Sequence, residues 1–199
     1  ALNDLAMVLT DQRRCADAEP PYREALAMFR KVKDADPSSA ASSLHGLGDV
    51  YACRGQIGEA ENHYRAALEL RRKTLGAAHA RVADTEAALG RLLTGRRAYE
   101  EADRLLRDAL EIRRKSLPST HWRIGYTQVL LGNCLKGERR FDEAEPLLQK
   151  GYELLREKRG DGREETREAA GGLVALYEAW GKPDRAAAYR KQAGPGSLK

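Results

Sequence analysis

The stretch Ser43–Lys73, SLHGLGDVYACRGQIGEAENHYRAALELRRK, decides the fold because the rest of the chain repeats it. An alanine in its second half and a leucine in its first half each recur at a constant spacing of 42 residues. The alanines are Ala18, Ala60, Ala102, Ala144 and Ala186, and the leucines are Leu5, Leu47, Leu89, Leu131 and Leu173. A fixed period of about 20 to 50 residues indicates tandem structural repeats, so the unit to explain is one repeat.

Each repeat is predicted to be a pair of amphipathic helices. Apolar residues from Leu44 to Tyr51 follow helical spacing and share one face of a first helix. Gly55 interrupts the pattern, and a second helix with the same kind of spacing runs from Ile57 to Leu70. Neither helix can bury its apolar stripe alone, so the two are expected to pack against each other.

The pattern L-x-x-L-G-x-x-Y, followed by A-x-x-x-Y-x-x-A, resembles the tetratricopeptide repeat, whose usual length is about 34 residues. The extra residues follow the second helix, where Arg71-Arg72-Lys73 precedes Leu75-Gly76 and His79. This extension is similar to the 42-residue variant found in kinesin light chains and in many bacterial proteins. The resemblance covers almost the whole chain. It implies an all-α, right-handed superhelical solenoid of about five antiparallel helix pairs, from a bacterial protein.

The periodicity predicts one domain over residues 1–193 and a flexible tail over residues 194–199. The repeats are expected at about 1–37, 38–79, 80–121, 122–163 and 164–193. Arg190 stands where the earlier repeats have Tyr22, Tyr64, Leu106 and Leu148, which predicts a polar C-terminal cap. Because Ala1 already lies inside the predicted first helix with no N-cap before it, we expect the sequence to be part of a longer protein.

Composition predicts a helical protein without a membrane partner. The chain has 199 residues, 33% charged residues and a formal net charge of +5, and no apolar run approaches the roughly 20 residues that span a bilayer. The basic residues cluster at helix C-termini, which favours a solvated basic surface. Cys15 and Cys134 occupy apolar columns of the repeat and are predicted to be small core residues. Cysteines without a C-x-x-C pair favour a reducing, cytoplasmic location.

The sequence contains no signature of catalysis. Phosphate-binding loops, H-E-x-x-H and G-x-S-x-G are all missing from it. His79 and His121 are equivalent positions one repeat apart, and stacked helices lie about 8 to 10 Å from each other. Zinc ligands lie about 2 Å from a shared ion, so these two histidines are expected to pack in loops instead. We therefore expect no catalytic residue, no metal and no cofactor, and a protein that is not an enzyme.

Function is expected on the concave groove that first helices line in the family this chain resembles. The groove-facing positions lie two residues before the repeated leucine, two after it and five after it. These positions predict a peptide-binding site made of Asn3, His45, Asp49, Arg91, Asn133 and Lys136. Asparagine amides can bond an extended backbone, and Arg91 or Lys136 can pair with a carboxylate. An ordinary solvated helix face accounts equally well for any single one of these residues.

Two other functions remain open beside a scaffold that binds a peptide or protein segment. Helical repeats can bind RNA, and the sequence pI is 9.2. Nucleic acid is disfavoured because the basic clusters lie at helix ends and no aromatic column is available for base stacking. The chain could also be an accessory interaction domain of a larger signalling enzyme such as a Ser/Thr kinase. The sequence leaves the ligand and the oligomeric state open.

Overall fold

The computed structural model describes residues 2–31 and 36–194 of the chain. Within these ranges the chain forms ten α-helices and no strand. In chain order they are α1 (Leu2–Asp11), α2 (Cys15–Lys31), α3 (Pro37–Cys53), α4 (Ile57–Leu75), α5 (Ala80–Gly95), α6 (Tyr99–Ser116), α7 (Trp122–Gly137), α8 (Phe141–Arg159), α9 (Glu164–Ala179) and α10 (Pro183–Ala193). None of these helices is both long and apolar enough to cross a membrane. The predicted tail, apart from Gly194, lies outside the described residues.

Two compact units divide the chain, and the first is Ala1–Leu92. Here α1 packs on α2 and α3 packs on α4, as the helix-pair prediction requires, and α2 also packs on α3. The first helices α1 and α3 contact each other as well. Gly48 permits the close approach of α3 and α4, because a Cβ at this position would overlap the ring of Tyr64.

The repeated alanine and leucine positions form the core. All five alanines have no exposed surface, and four of the five leucines are at most 2% exposed. Leu5 is the exception, at 53% exposed. In α3 the equivalent face is covered by α2, whose Tyr22 ring lies against Gly46. No helix pair precedes α1 among the described residues, so Leu5 has no such cover.

The second unit is Leu93–Lys199. Its helices pack in the same order, with α7 on α8 and α9 on α10, while α6 contacts α7 and α8 contacts α9. The first helices α7 and α9 also contact each other. Arg190 in α10 is exposed and pairs with Glu178 at 3.1 Å, so the last helix presents the polar surface expected of a cap.

The recurrent basic ends of the second helices are not simply solvated, contrary to the sequence prediction. Arg71 and Arg113 are only 5% and 6% exposed. Arg71 Nη1 donates to the carbonyl oxygen of Arg81 at 2.8 Å and to Thr85 Oγ1 at 2.5 Å. Thr85, on the first helix that follows, therefore accepts a hydrogen bond from Arg71, and the buried guanidinium group connects α4 to α5.

The cysteines also depart from expectation. Cys15 and Cys134 are both buried, as predicted, but Cys15 forms a disulfide with Cys53. Their Cα atoms are 6.3 Å apart although 38 residues separate them in sequence. Cys134 is the free thiol of the set. Because two of the three cysteines are paired, cysteine content no longer favours a reducing compartment for this chain.

Candidate functional site

The predicted site residues lie on first helices but differ in exposure according to their position. The position two residues before the repeated leucine faces a neighbouring helix, and Ala87 and Val129 are fully or almost fully buried there. The position two residues after the leucine faces outward. Asp49 is 39% exposed, and Arg91 is exposed on α5. The outward stripe is therefore the candidate surface within each unit.

In the second unit the structure brings Asn133 and Lys136 together on α7. Lys136 Nζ donates to Asn133 Oδ1 at 3.1 Å. Both side chains are half-buried because α9 lies alongside α7. Gly172 of α9 makes room for the asparagine, since a Cβ there would lie 2.8 Å from Asn133 Oδ1. This pair is a compact polar site in the inter-helix groove of α7 and α9.

Two further side chains extend this site towards the N-termini of α7 and α9. Tyr126 of α7 donates its hydroxyl hydrogen to Glu168 Oε2 of α9 at 3.1 Å. The four residues Tyr126, Asn133, Lys136 and Glu168 are called the α7–α9 cluster below. Sequence reasoning missed Tyr126 and Glu168, although both stand five residues before the repeated leucine. Continuing the groove stripe one turn towards the helix N-terminus would have found them.

The charge of Lys136 is poorly solvated. Burial lowers the pKa of its ammonium group, and the carboxylate of Glu168 acts in the opposite direction. Lys136 has an amide oxygen as its hydrogen-bond acceptor, which is a weaker partner for a cation than a carboxylate. An incoming anionic group would therefore gain more here than at a fully hydrated surface lysine.

In the first unit the structure brings His45 and Asp49 together on α3. His45 Nε2 lies 3.6 Å from Asp49 Oδ2, which is too long for a hydrogen bond. The other carboxylate oxygen, Oδ1, accepts the hydroxyl hydrogen of Tyr64 at 2.6 Å. The His45 side chain is 20% exposed, and burial lowers its pKa. This arrangement offers a neutral imidazole and an oriented carboxylate.

Asn3 has a structural role. Its Nδ2 donates to the carbonyl oxygen of Ser39 at 3.3 Å, and its Oδ1 accepts the hydroxyl hydrogen of Ser43 at 2.8 Å. Both ends of the amide therefore connect α1 to α3. Asn3 was expected to form hydrogen bonds with a peptide backbone. In this structure its amide group forms hydrogen bonds with Ser39 and Ser43 of the same unit.

The loop histidines act as helix caps. His79 Nδ1 accepts from the backbone N–H of Arg81 at 3.1 Å, and His121 Nδ1 accepts from that of Arg123 at 3.2 Å. These bonds satisfy backbone donors at the starts of α5 and α7. Over the described ranges, no group of three His, Cys, Asp or Glu side chains is placed to hold a metal ion.

Comparison with known families agrees with this architecture. One family model of the tetratricopeptide repeat matches residues 39–115 and 123–193. A second tetratricopeptide repeat model matches residues 1–32. These matches cover most of the sequence. The chain belongs to the tetratricopeptide repeat family. The resemblance to kinesin light chains expected from the 42-residue period extends to the fold, which solved structures of that kind share.

Solved structures share the fold at low sequence identity. The tetratricopeptide repeat chain aligns with BtubC (BKLC) from P. vanneervenii with a TM-score of 0.79 and 21% identity, covering 96% of this chain and 76% of that one. It aligns with the kinesin light chain nearly identical TPR-like repeats of Podosopora anserina with a TM-score of 0.76 and 21% identity, covering 96% and 91%. The fold is thus the all-α solenoid fold of these proteins.

A third solved structure carries a bound partner. It is a Rap protein complexed with competence and sporulation factor, with a TM-score of 0.79 and 22% identity, covering 96% of this chain and 51% of that one. The repeat chain has no significant match among curated proteins.

Proposed function

We propose that the chain is a non-catalytic interaction scaffold whose first helices bind a peptide or protein segment. The observation that carries this proposal is the α7–α9 cluster, where the half-buried cation Lys136 donates its hydrogen bond to an amide oxygen. Core positions repeat with fixed residues in every helix pair. The outward column reads Met7, Asp49, Arg91, Asn133 and Ala175, so it varies from repeat to repeat. A surface that varies on a constant scaffold suits recognition of a ligand of varied sequence.

The chemistry of the cluster selects an acidic ligand. A carboxylate, from a side chain or from a chain end, would pair with Lys136 in a partly desolvated groove. Asn133 accepts through Oδ1, and its Nδ2 group can donate to a backbone carbonyl of the same ligand. Glu168 keeps its negative charge while it accepts the hydrogen bond from Tyr126, so a ligand carboxylate would have to pair with Lys136 without approaching Glu168.

The first unit has a surface of opposite character. Asp49 is oriented by Tyr64, and the adjacent His45 is kept neutral by burial. A carboxylate fixed in this way favours a ligand segment with a lysine, an arginine or an N–H donor. Each unit is thus proposed to favour a ligand segment of its own charge type.

Relatives with the same fold support a binding function. One solved structure is a Rap protein complexed with a factor, and another is YrrB, a TPR protein with an unusual peptide-binding site, at a TM-score of 0.56 and 20% identity. Tetratricopeptide repeats generally serve as scaffolds without catalysis. These relatives share only the fold with this chain. The proposal therefore depends on the residues of the α7–α9 cluster.

A phage-displayed library of random linear peptides provides the probe. Peptides enriched on the wild-type chain are synthesised, and their affinities are measured by fluorescence anisotropy. We expect the enriched sequences to contain Asp, Glu or a free C-terminus, and Lys136→Ala to weaken binding at least about tenfold. The matched control Lys150→Ala removes an exposed lysine of α8 and should change affinity less than about twofold.

The control for the asparagine is Asn62→Ala, an exposed position of α4. Asn133→Ala should weaken peptide binding while Asn62→Ala leaves it unchanged. Failure to enrich any peptide, or equal affinities for Lys136→Ala and Lys150→Ala, would remove the proposal. Tight binding to a random RNA oligonucleotide that falls steeply with added salt would favour the nucleic-acid alternative.

A further inference from the structure

The disulfide between Cys15 and Cys53 lies at the junction of the first two helix pairs, within the first unit. Cys15 is the first residue of α2, and Cys53 is the last residue of α3. The bond therefore joins the start of α2, the second helix of the first pair, to the end of α3, the first helix of the second pair. It closes a loop that contains both helices.

The equivalent junction in the second unit is filled in another way. Two periods further along the chain, Tyr99 replaces Cys15 and Gly137 replaces Cys53. The tyrosine ring lies directly on the glycine, because a Cβ on Gly137 would overlap that ring. One large side chain packed on a small one fills the space there. In the first unit the same two positions hold Cys15 and Cys53, and their disulfide takes the place of the Tyr99 ring.

Polar contacts also lie beside the disulfide at this junction. Tyr51 donates its hydroxyl hydrogen to Glu19 Oε1 at 2.9 Å, and Arg23 Nη2 donates to the same hydroxyl oxygen at 2.6 Å. Arg54 forms an ion pair with Glu19. Most of these groups are part-exposed, so they contribute modestly to stability. Cleaving the disulfide would leave the junction with these contacts, the packing of Tyr22 on Gly46 and the hydrogen bonds of Asn3 to α3.

The geometry also suits thiol–disulfide exchange. Cys53 is exposed, whereas Cys15 is 5% exposed at the N-terminus of α2. A thiolate of a dithiol reductant can attack Cys53 Sγ, forming a mixed disulfide and releasing Cys15 as a thiolate. The helix N-terminus stabilises that leaving thiolate, which then takes a proton from water. The second thiol of the reductant attacks the mixed disulfide and releases Cys53. Two electrons pass to the protein, and the reductant becomes a disulfide.

From these observations we infer that Cys15 and Cys53 form a redox switch that sets how firmly the first helix pair is held on α3. The oxidised form fixes α1 and α2 against the second helix pair. The reduced form lets them open, and the contact of Asn3 with Ser43 opens with them. This inference does not depend on peptide binding, because its predicted effect is on the structure of the first unit.

Thiol counting on the full chain tests whether the bond forms. After exposure to oxidised glutathione and removal of the reagent, denatured protein should contain one reactive thiol, that of Cys134, and dithiothreitol should raise the count to three. Cys134 is buried, and burial raises its pKa to about 11, so it should stay unreactive in the folded protein. A count of three after oxidation would overturn the inference.

Hydrogen exchange measured by mass spectrometry tests the consequence of reduction. Reduction should accelerate amide exchange in residues 2–31 at least about tenfold and leave residues 122–159 unchanged. The variant Cys15→Ser with Cys53→Ser should exchange at the fast rate with or without reductant. Cys134→Ser should respond to the reductant as the wild type does. Equal exchange in the oxidised and reduced wild-type chains would also overturn the inference.

Discussion

Arg113 shows how one partner residue decides the role of a side chain. It belongs to a basic run at the end of α6, next to Arg114, which is exposed. Arg113 Nη1 donates to the carbonyl oxygen of Arg123 at 3.3 Å and to Thr127 Oγ1. The buried position of this arginine therefore depends on acceptors supplied by the next helix.

Substitution of this arginine should destabilise the second unit. In Arg113→Ala the two acceptors on α7 lose the guanidinium donor, and the aliphatic part of the side chain no longer packs. We expect a loss of about 2 kcal/mol in the free energy of unfolding, measured by urea denaturation followed by circular dichroism. Arg114→Ala should cost less than about 0.5 kcal/mol. Equal losses in the two variants would show that Arg113 is not a structural residue.

His45 should make stability depend on pH. Burial lowers its pKa below the ordinary value of 6.5, so the unfolded chain binds the proton more readily than the folded chain does. The stabilising contribution is complete above pH 6.5 and is lost as the pH falls towards the lower folded value. We expect the urea midpoint of His45→Gln to change less between pH 7 and pH 5 than that of the wild type. Parallel curves for the two proteins would contradict this expectation.

At the scale of elements, close helix contact depends on small residues at facing positions. Gly125 of α7 and Gly151 of α8 bring two backbones together, since a Cβ on Gly151 would lie 2.6 Å from the carbonyl oxygen of Gly125. The neighbouring atom belongs to the backbone, so a local side-chain adjustment cannot relieve the overlap. The two helices would have to separate.

Gly151→Ala should therefore lower the free energy of unfolding of the second unit by about 2 to 3 kcal/mol, measured by urea denaturation. The matched control is Gly58→Ala in α4, where no atom lies within 4 Å of the added Cβ. That variant should be neutral or more stable by about 0.5 to 1 kcal/mol, because alanine is the better helix former. A Gly151→Ala protein as stable as the wild type would show that α7 and α8 are further apart.

The helix pairs were predictable because a strict period repeats the core in every unit. Ala60 and Leu47 are buried, as are their copies in the later repeats. The disulfide was not predictable, since a separation of 38 residues between two cysteines carries no recognisable pattern. The buried state of Arg71 was missed because the sequence does not show which threonine lies opposite it.

At the scale of the whole molecule, the family and the fold follow from the 42-residue period, and the candidate site follows only in part. Spacing identifies first-helix stripes, which is how Asn133 and Lys136 were found. Spacing does not show that Val129, on the same stripe, is buried against neighbouring helices. That distinction depends on tertiary packing, which differs between positions separated by one helical turn.

We propose that ligands bind to the exposed sides of the first helices. The most direct test of this proposal is an NMR titration of the isotope-labelled chain with a peptide enriched from the random library. We expect the largest amide shift changes in α7 and α9, around Asn133, Lys136 and Glu168, and no change on the exposed side of α8. Shift changes concentrated on α8, or spread evenly over the helices, would contradict the proposal.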